Sequence, residues 1–78
     1  FYAINNHMKK QSVNILGHAT SVTLEQEFWT ALKNIAKTRN LSLNKLIAEI
    51  DDARTPETNL SSAIRSYILQ NITATKDL

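Results

Sequence analysis

The sequence has no cysteine, one glycine and one proline. The lack of cysteine excludes disulfides, thiolate zinc sites, iron–sulfur clusters and cysteine nucleophiles. A single glycine excludes a glycine-rich phosphate loop or a dinucleotide-binding fingerprint, because both need several glycines. His7 and His18 are the two histidines, and without suitably spaced carboxylates they predict no metal site and no cofactor. We also predict no enzymatic activity, because no nucleophile, base and orienting group stand at a recognisable spacing.

Long hydrophobic runs are lacking as well, which predicts no membrane span. No secretory signal pattern is visible, so we expect a cytoplasmic protein. The 78 residues allow one domain at most, and 42% of them are hydrophobic, which is enough for a core. A domain of this size commonly needs a disulfide, a metal or a partner chain for stability. With the first two excluded, the sequence favours an oligomer.

Charge is distributed unevenly along the chain. Residues 1–45 hold six basic and two acidic residues, a net charge of +4, whereas residues 46–78 hold three basic and five acidic residues, a net charge of −2. This asymmetry is typical of a surface that faces an anionic partner. It is equally compatible with ordinary scatter of solvated charge.

Two stretches alternate polar and apolar residues, the pattern of half-buried strands, at residues 12–15 and 20–24. Gly17 lies between them as the turn residue. The pattern leaves open whether they form a hairpin or one interrupted ribbon. In the second stretch Val22 and Leu24 are predicted to face a core, and Ser21 and Thr23 to face outward.

From Glu25 onward the hydrophobic period becomes helical, and Glu25 and Glu27 are assigned to the first helical turn. Asn40 suits a left-handed cap, and Ser42 is the predicted N-cap of a second helix. Pro56 ends that helix, and Thr58 or Asn59 caps a third. The three apolar stripes are Phe28, Leu32, Ile35 and Ala36; Leu43, Leu46, Ile47 and Ile50; and Leu60, Ala63, Ile64, Tyr67, Ile68 and Ile72.

Two further side chains lie beside these stripes. Trp29 is expected at the edge of the core, with contact to a partner as the alternative. Arg65 is expected to pair with an acidic residue, or else to mark a partner-binding face. The candidate acids are Asp51, Asp52 and Glu57.

A single strand followed by two helices leaves both strand edges unpaired, and a second copy of the chain supplies the missing edge by two-fold symmetry. We therefore expect a homodimer. Its predicted core consists of Val22, Leu24, Phe28, Leu32, Ile35, Leu46, Ile47 and Ile50.

The outer face of such a ribbon and the start of the second helix are the candidate binding surfaces. A two-stranded ribbon fits the major groove of DNA, where hydroxyl groups meet base edges. The free amides and positive dipole end at residues 42–45, with Lys45 beside them, suit a phosphate group. Taken singly, each feature is more often a solvated strand face or a plain helix cap; the two together, in this order, are more specific than either alone.

The segment SVTLEQEFWTALKNIAKTRNLSLNKLIAEI resembles a ribbon-helix-helix DNA-binding domain of the bacterial repressor type. The resemblance is closer to a branch of short bacterial proteins with this domain and covers residues 9–72, through the blocks SVNILGHATSVTLE, FWTALKNIA, LSLNKLIAEID and NLSSAIRSYIL. It implies a mainly α fold with a short β-ribbon, an intertwined homodimer with an intermolecular antiparallel sheet, and an additional C-terminal helix.

The resemblance also implies roles for individual residues. Relatives often have arginine where this chain has Ala19, which shifts part of the expected DNA contact to other residues. The implied base contacts are Ala19, Ser21 and Thr23; the phosphate contacts are Ser42, Leu43, Asn44 and Lys45; and the auxiliary DNA contacts are Lys9, Lys10 and His18.

These observations predict three regions: a flexible arm or upstream remnant at residues 1–9, the domain at residues 10–72 and a frayed tail at residues 73–78. The predicted function is sequence-selective binding of double-stranded DNA by a transcriptional regulator, such as a repressor. The alternative is a protein-interaction or antitoxin-like module whose third helix binds a partner protein.

Overall fold

The computed structural model describes residues 8–76, with side chains as far as residue 72. Within this part, two strands precede three helices: β1 (Met8–Ile15), β2 (His18–Glu25), α1 (Gln26–Thr38), α2 (Leu43–Ala53) and α3 (Leu60–Lys76). β1 begins two residues before the predicted domain start, so Met8 and Lys9 belong to the strand, and α3 runs past the predicted end at residue 72. The rest of the predicted arm and tail, residues 1–7 and 77–78, lies outside the described residues.

β1 and β2 form a two-stranded antiparallel hairpin, in which Ile15 pairs with His18. The connecting residues Leu16 and Gly17 have φ angles of 52° and 85°. Two consecutive positive φ angles are typical of the type I′ turn, whose twist matches that of the flanking strands. The alternative left open by the sequence is thus resolved in favour of a hairpin, with Gly17 in the turn as predicted.

The helix boundaries follow from local capping. The Ser42 hydroxyl accepts a hydrogen bond from the Lys45 N–H at 3.1 Å, and the Asn59 side chain accepts one from the Ser62 N–H at 2.9 Å. Asn40 has a φ angle of 62°, which confirms the predicted left-handed residue after α1. Glu25, predicted in the first helical turn, instead ends β2 and precedes α1.

The core lies between the inner face of the hairpin and the three helices. The interpretation of Trp29 as an edge residue is wrong, because Trp29 is completely buried and Phe28 is only half-buried. The indole N–H donates to the Lys9 carbonyl oxygen at 2.8 Å, so the ring is buried without an unpaired polar atom. The buried residues are Val13, Ile15, Val22, Leu24, Trp29, Leu32, Ala36, Leu46, Ile47, Ile50, Ile64 and Ile68.

The residues predicted to form a dimer core are buried or half-buried within one chain. Val22 and Leu24 face inward, as predicted, but the strand that pairs with them is β1 of the same chain. The reason for expecting a dimer, a lone strand with two unpaired edges, therefore does not arise here. The intertwined dimer itself stays a prediction.

α3 completes this core with Ile64 and Ile68, which are both fully buried. Arg65 does not pair with the acidic residues predicted for it. It forms an ion pair with Glu25 at 3.0 Å, because α3 packs beside the end of β2. Asp51 instead pairs with Arg54 at 2.7 Å, across the C-terminal end of α2.

Candidate nucleic-acid interface

One face of the hairpin is buried against the helices and the other is exposed. Directly opposed residues in an antiparallel pair project to the same face, and successive residues alternate between faces. The pairs Lys10–Thr23, Ser12–Ser21 and Asn14–Ala19 all lie on the exposed side. We call this surface the ribbon face; its residues are Lys10, Ser12, Asn14, Ala19, Ser21 and Thr23.

The register separates the three residues predicted as auxiliary contacts, Lys9, Lys10 and His18. Lys10 stands directly opposite Thr23 on the ribbon face. Lys9 and His18 have the other parity and project from the side of the sheet that carries the core, although both side chains are exposed. Only Lys10 is therefore placed beside the predicted base-contacting hydroxyls.

The start of α2 presents the predicted phosphate-binding groups. The Ser42 hydroxyl is occupied as the cap of the helix, and the Leu43 side chain is half-buried against the core. What remains for a ligand are the backbone amides of Leu43 and Asn44, which have no acceptor within the helix, and the exposed Lys45 side chain. Amides, helix dipole and ammonium together favour an anion.

A side-chain contact brings the start of α2 to the edge of the ribbon. The Asn44 side-chain oxygen accepts a hydrogen bond from the Asn14 N–H of β1 at 3.3 Å, and the Asn14 side chain accepts one from the Gly17 N–H at 3.0 Å. Asn14 and Lys45 line one groove beside the hairpin turn. Asn44, a predicted phosphate contact, therefore lies beside Asn14, which pairs with Ala19, a predicted base contact.

α3 holds the opposite edge of the ribbon. The Ser61 hydroxyl donates to the Thr23 carbonyl oxygen at 3.1 Å, and Arg65, one turn further along α3, pairs with Glu25. The pKa of the Glu25 carboxyl group lies below its usual value, chiefly because of the hydrogen bond from its own backbone N–H and further because of Arg65. Ser61 was not predicted as a functional residue, because a contact across 38 residues leaves no signal in the sequence pattern.

Ser12 and Asn14 were also missed, although a signal for them exists. The alternation in residues 12–15 assigns both side chains to the outer face as soon as a hairpin is assumed. Their absence from the predicted site reflects the assumption of a single strand.

The charges limit where an anion can approach. Lys10 and Lys45 lie on the ribbon face and at the start of α2, whereas the groove beside the turn continues along α2 to Glu49 and Asp52. Repulsion from these carboxylates disfavours an anion beyond the first turn of α2. The surface offers hydroxyls, an amide and an ammonium group, which are the groups that meet base edges and phosphates.

Comparison with known families decides the classification. A family model described as a ribbon-helix-helix domain matches residues 8–72. The chain belongs to the ribbon-helix-helix family. Ribbon-helix-helix domains are typically non-enzymatic DNA-binding transcription regulators that act as dimers. A search of curated proteins and a search of solved structures found no match.

Two further properties concern the described part of this ribbon-helix-helix chain. None of its helices within residues 8–76 is long and apolar enough to cross a membrane. Among the same residues, no three histidine, aspartate or glutamate side chains are grouped so that they could hold a metal ion.

Proposed function

We propose that this ribbon-helix-helix protein binds double-stranded DNA sequence-selectively and regulates transcription. The observation that carries the proposal is the exposed ribbon face, which presents hydroxyl, amide and ammonium groups next to the free amides of α2. A two-stranded ribbon has the width that the major groove admits.

In this proposal the two surfaces have different roles. Ser21 and Thr23 exchange hydrogen bonds with base edges, and the Ala19 methyl group contacts thymine methyl groups. The amides of Leu43 and Asn44, with Lys45, hold a phosphate and so set the depth and register of the ribbon. Base contacts supply the sequence preference, and phosphate contacts supply affinity for any DNA.

We further propose that the protein acts on DNA as a homodimer, as is typical of the family. A dimer favours a palindromic or tandem site with half-sites about one helical turn or less apart. Occupancy of such a site near a promoter is the proposed basis of repression. Binding should weaken steeply with salt, because each neutralised phosphate releases condensed counterions.

The alternative predicted from the sequence, a third helix that binds a protein, is less well supported. The most apolar face of α3 carries Ile64 and Ile68 and is buried in the core. Among the described side chains of α3, the large hydrophobic ones that remain exposed are Leu69 and Ile72. We therefore favour DNA binding over a protein-interaction module.

A pair of substitutions tests the assigned roles. Thr23→Ala should lower affinity by about 1–3 kcal/mol on the preferred site and little on scrambled DNA. Lys45→Ala should lower affinity on both DNAs alike and reduce the salt slope by about 1. The measurement is fluorescence anisotropy at several salt concentrations, on a site selected from a random DNA pool.

The matched control for Thr23→Ala is Thr38→Ala, which changes the same residue type at an exposed position on α1. This control should bind like the unchanged protein. Equal losses on preferred and scrambled DNA for Thr23→Ala, or a loss confined to the preferred site for Lys45→Ala, would contradict the assigned roles. Absence of any binding at low salt would refute the proposed function.

A further inference from the structure

We infer that a second copy of this chain docks in the groove between α1 and α3, with the two α1 helices packed antiparallel. We call this surface the α1–α3 groove; its lining includes Ala31, Asn34 and Ile35 of α1, the C-cap residue Arg39, and Ile72 of α3. The described residues that line it all belong to α1, its C-cap or α3. The contact therefore leaves the ribbon face and the start of α2 uncovered, and the inference does not depend on the proposed DNA binding.

The α1–α3 groove presents apolar side chains that the chain itself does not cover. Ala31 and Ile35 lie four residues apart, on the same side of α1, and both are only half-buried. Across the groove, the Ile72 side chain is 45% exposed. Burial of these side chains against another surface would remove apolar area from water, which favours association.

This side of α1 is complementary to itself when two copies run antiparallel. In a two-fold contact, the two residues of each contacting pair lie equally far from the axis. With the axis beside residue 33, Ala31 faces the partner's Ile35, so that a small side chain meets a larger one at both symmetric positions. Asn34 lies next to the axis and faces the partner's Asn34.

Opposite charges lie at the two ends of the same side of α1. Glu27 is exposed and lies four residues before Ala31, whereas Arg39 follows the last residue of the helix. Glu27 and Arg39 are equally far from residue 33, so the antiparallel contact brings each beside the other in the partner. Arg39 donates to Glu49 at 3.1 Å and to the Tyr67 hydroxyl at 3.0 Å, both through Nη1. Its side chain is still 43% exposed, so its other N–H groups can reach a second carboxylate.

The dimensions of the surface are those of a weak but specific contact. α1 has 13 residues and is therefore about 20 Å long, and α3 widens the contact on one side. Two helices of this length bury on the order of 1,000 Å² in total, which is the lower limit for a specific interface. We therefore expect reversible association at micromolar concentrations. The matching of size and charge across a two-fold axis selects a second copy over an unrelated protein as the occupant.

Sedimentation of the full chain over the micromolar range tests the inference. Ile72→Asp places a charge in the groove, and its particles should contain half as many chains as those of the unchanged protein. Leu69→Asp is the matched control, because Leu69 is 53% exposed on the same helix but does not line the groove. This control should associate like the unchanged protein. Circular dichroism of both variants checks that α3 remains folded.

The charge pairs are tested with Glu27→Gln. Loss of two exposed ion pairs should weaken association by about 2- to 30-fold. Glu57→Gln is the matched control, since Glu57 is an exposed acid between α2 and α3, and it should leave association unchanged.

A cross-linking experiment keeps the apolar lining intact and decides the matter if Ile72→Asp does not fold. The chain has no cysteine, so an introduced one reports only on its own position. Asn34→Cys should form covalent dimers under mild oxidation, because the two copies of residue 34 lie beside the axis, close enough for a disulfide. Lys33→Cys is the matched control; Lys33 is exposed on another side of α1, beside residues 40–43, and should not cross-link.

Three results would overturn the inference. The first is a particle size that does not change in folded Ile72→Asp or that falls equally in Leu69→Asp, since the groove would then have another occupant or none. The second is equal cross-linking of Asn34→Cys and Lys33→Cys. The third is an equal effect of Glu27→Gln and Glu57→Gln, which would exclude the antiparallel arrangement. Failure of the protein to bind DNA would refute the proposed function and leave this inference standing.

Discussion

Leu16 in the hairpin turn is a position where a single substitution should stabilise the protein. Its φ angle is 52°, and its side chain is 83% exposed. A left-handed conformation costs a residue such as leucine about 1–2 kcal/mol, whereas asparagine adopts it readily and is strongly preferred at this position of type I′ turns. Because little apolar surface is buried at Leu16, Leu16→Asn should remove strain without losing packing.

We expect Leu16→Asn to raise the free energy of unfolding by about 1 kcal/mol. For a domain of this size, that corresponds to an increase in melting temperature of about 4–8 °C. The assay is urea unfolding followed by the fluorescence of Trp29, the single tryptophan, which is fully buried in the folded chain. A shift of the urea midpoint with an unchanged slope reports a change in stability alone.

Leu69→Asn provides the matched control. Leu69 is 53% exposed, but it lies within α3, where the backbone is helical. Asparagine is a poorer helix former than leucine by less than about 0.7 kcal/mol, so this variant should be slightly less stable. If Leu16→Asn were also neutral or destabilising, the argument from turn strain would be refuted.

Two other predictions concern the contacts of α3. Ile64→Ala should lower the free energy of unfolding by about 2–5 kcal/mol, because Ile64 is fully buried. The measurement is urea unfolding. A loss below about 1 kcal/mol would show that α3 is not part of the core. The pKa of Glu25 is lowered by its own backbone N–H and by Arg65. The ionised carboxylate therefore stabilises the folded state, and this stabilisation is complete above the usual carboxyl pKa of about 4.3. It is lost as the pH falls through the lower pKa of the folded state. Glu25→Gln should therefore be slightly less stable than the unchanged protein at pH 7 and equally stable near pH 3; a constant difference across this range would contradict the assignment.

The local features of the chain could be predicted from its sequence. The change from two-residue to helical periodicity locates the strands and helices, and Ser42 and Asn40 mark helix ends because capping depends on residues within one turn. The inward orientation of Val22 and Leu24 follows from the alternation of a strand. The candidate phosphate site is also local, since it consists of consecutive residues at a helix start.

Contacts between distant residues were decided only by the tertiary structure. The sequence left the pairing of β1 with β2 open, and with it the place of Lys10 beside Thr23. On α1 the buried stripe is rotated from Phe28 toward Trp29, whose indole N–H donates to the Lys9 carbonyl oxygen of β1.

The contacts at the two edges of the ribbon were also decided only by the tertiary structure. Asn44 reaches Asn14, and Ser61 and Arg65 reach the end of β2, across 30 to 40 residues of sequence. Periodicity reports which side of an element is apolar, because burial acts on every residue of that side. It does not report which polar group meets which, because that depends on how whole elements pack, and no single stretch of the chain contains that information.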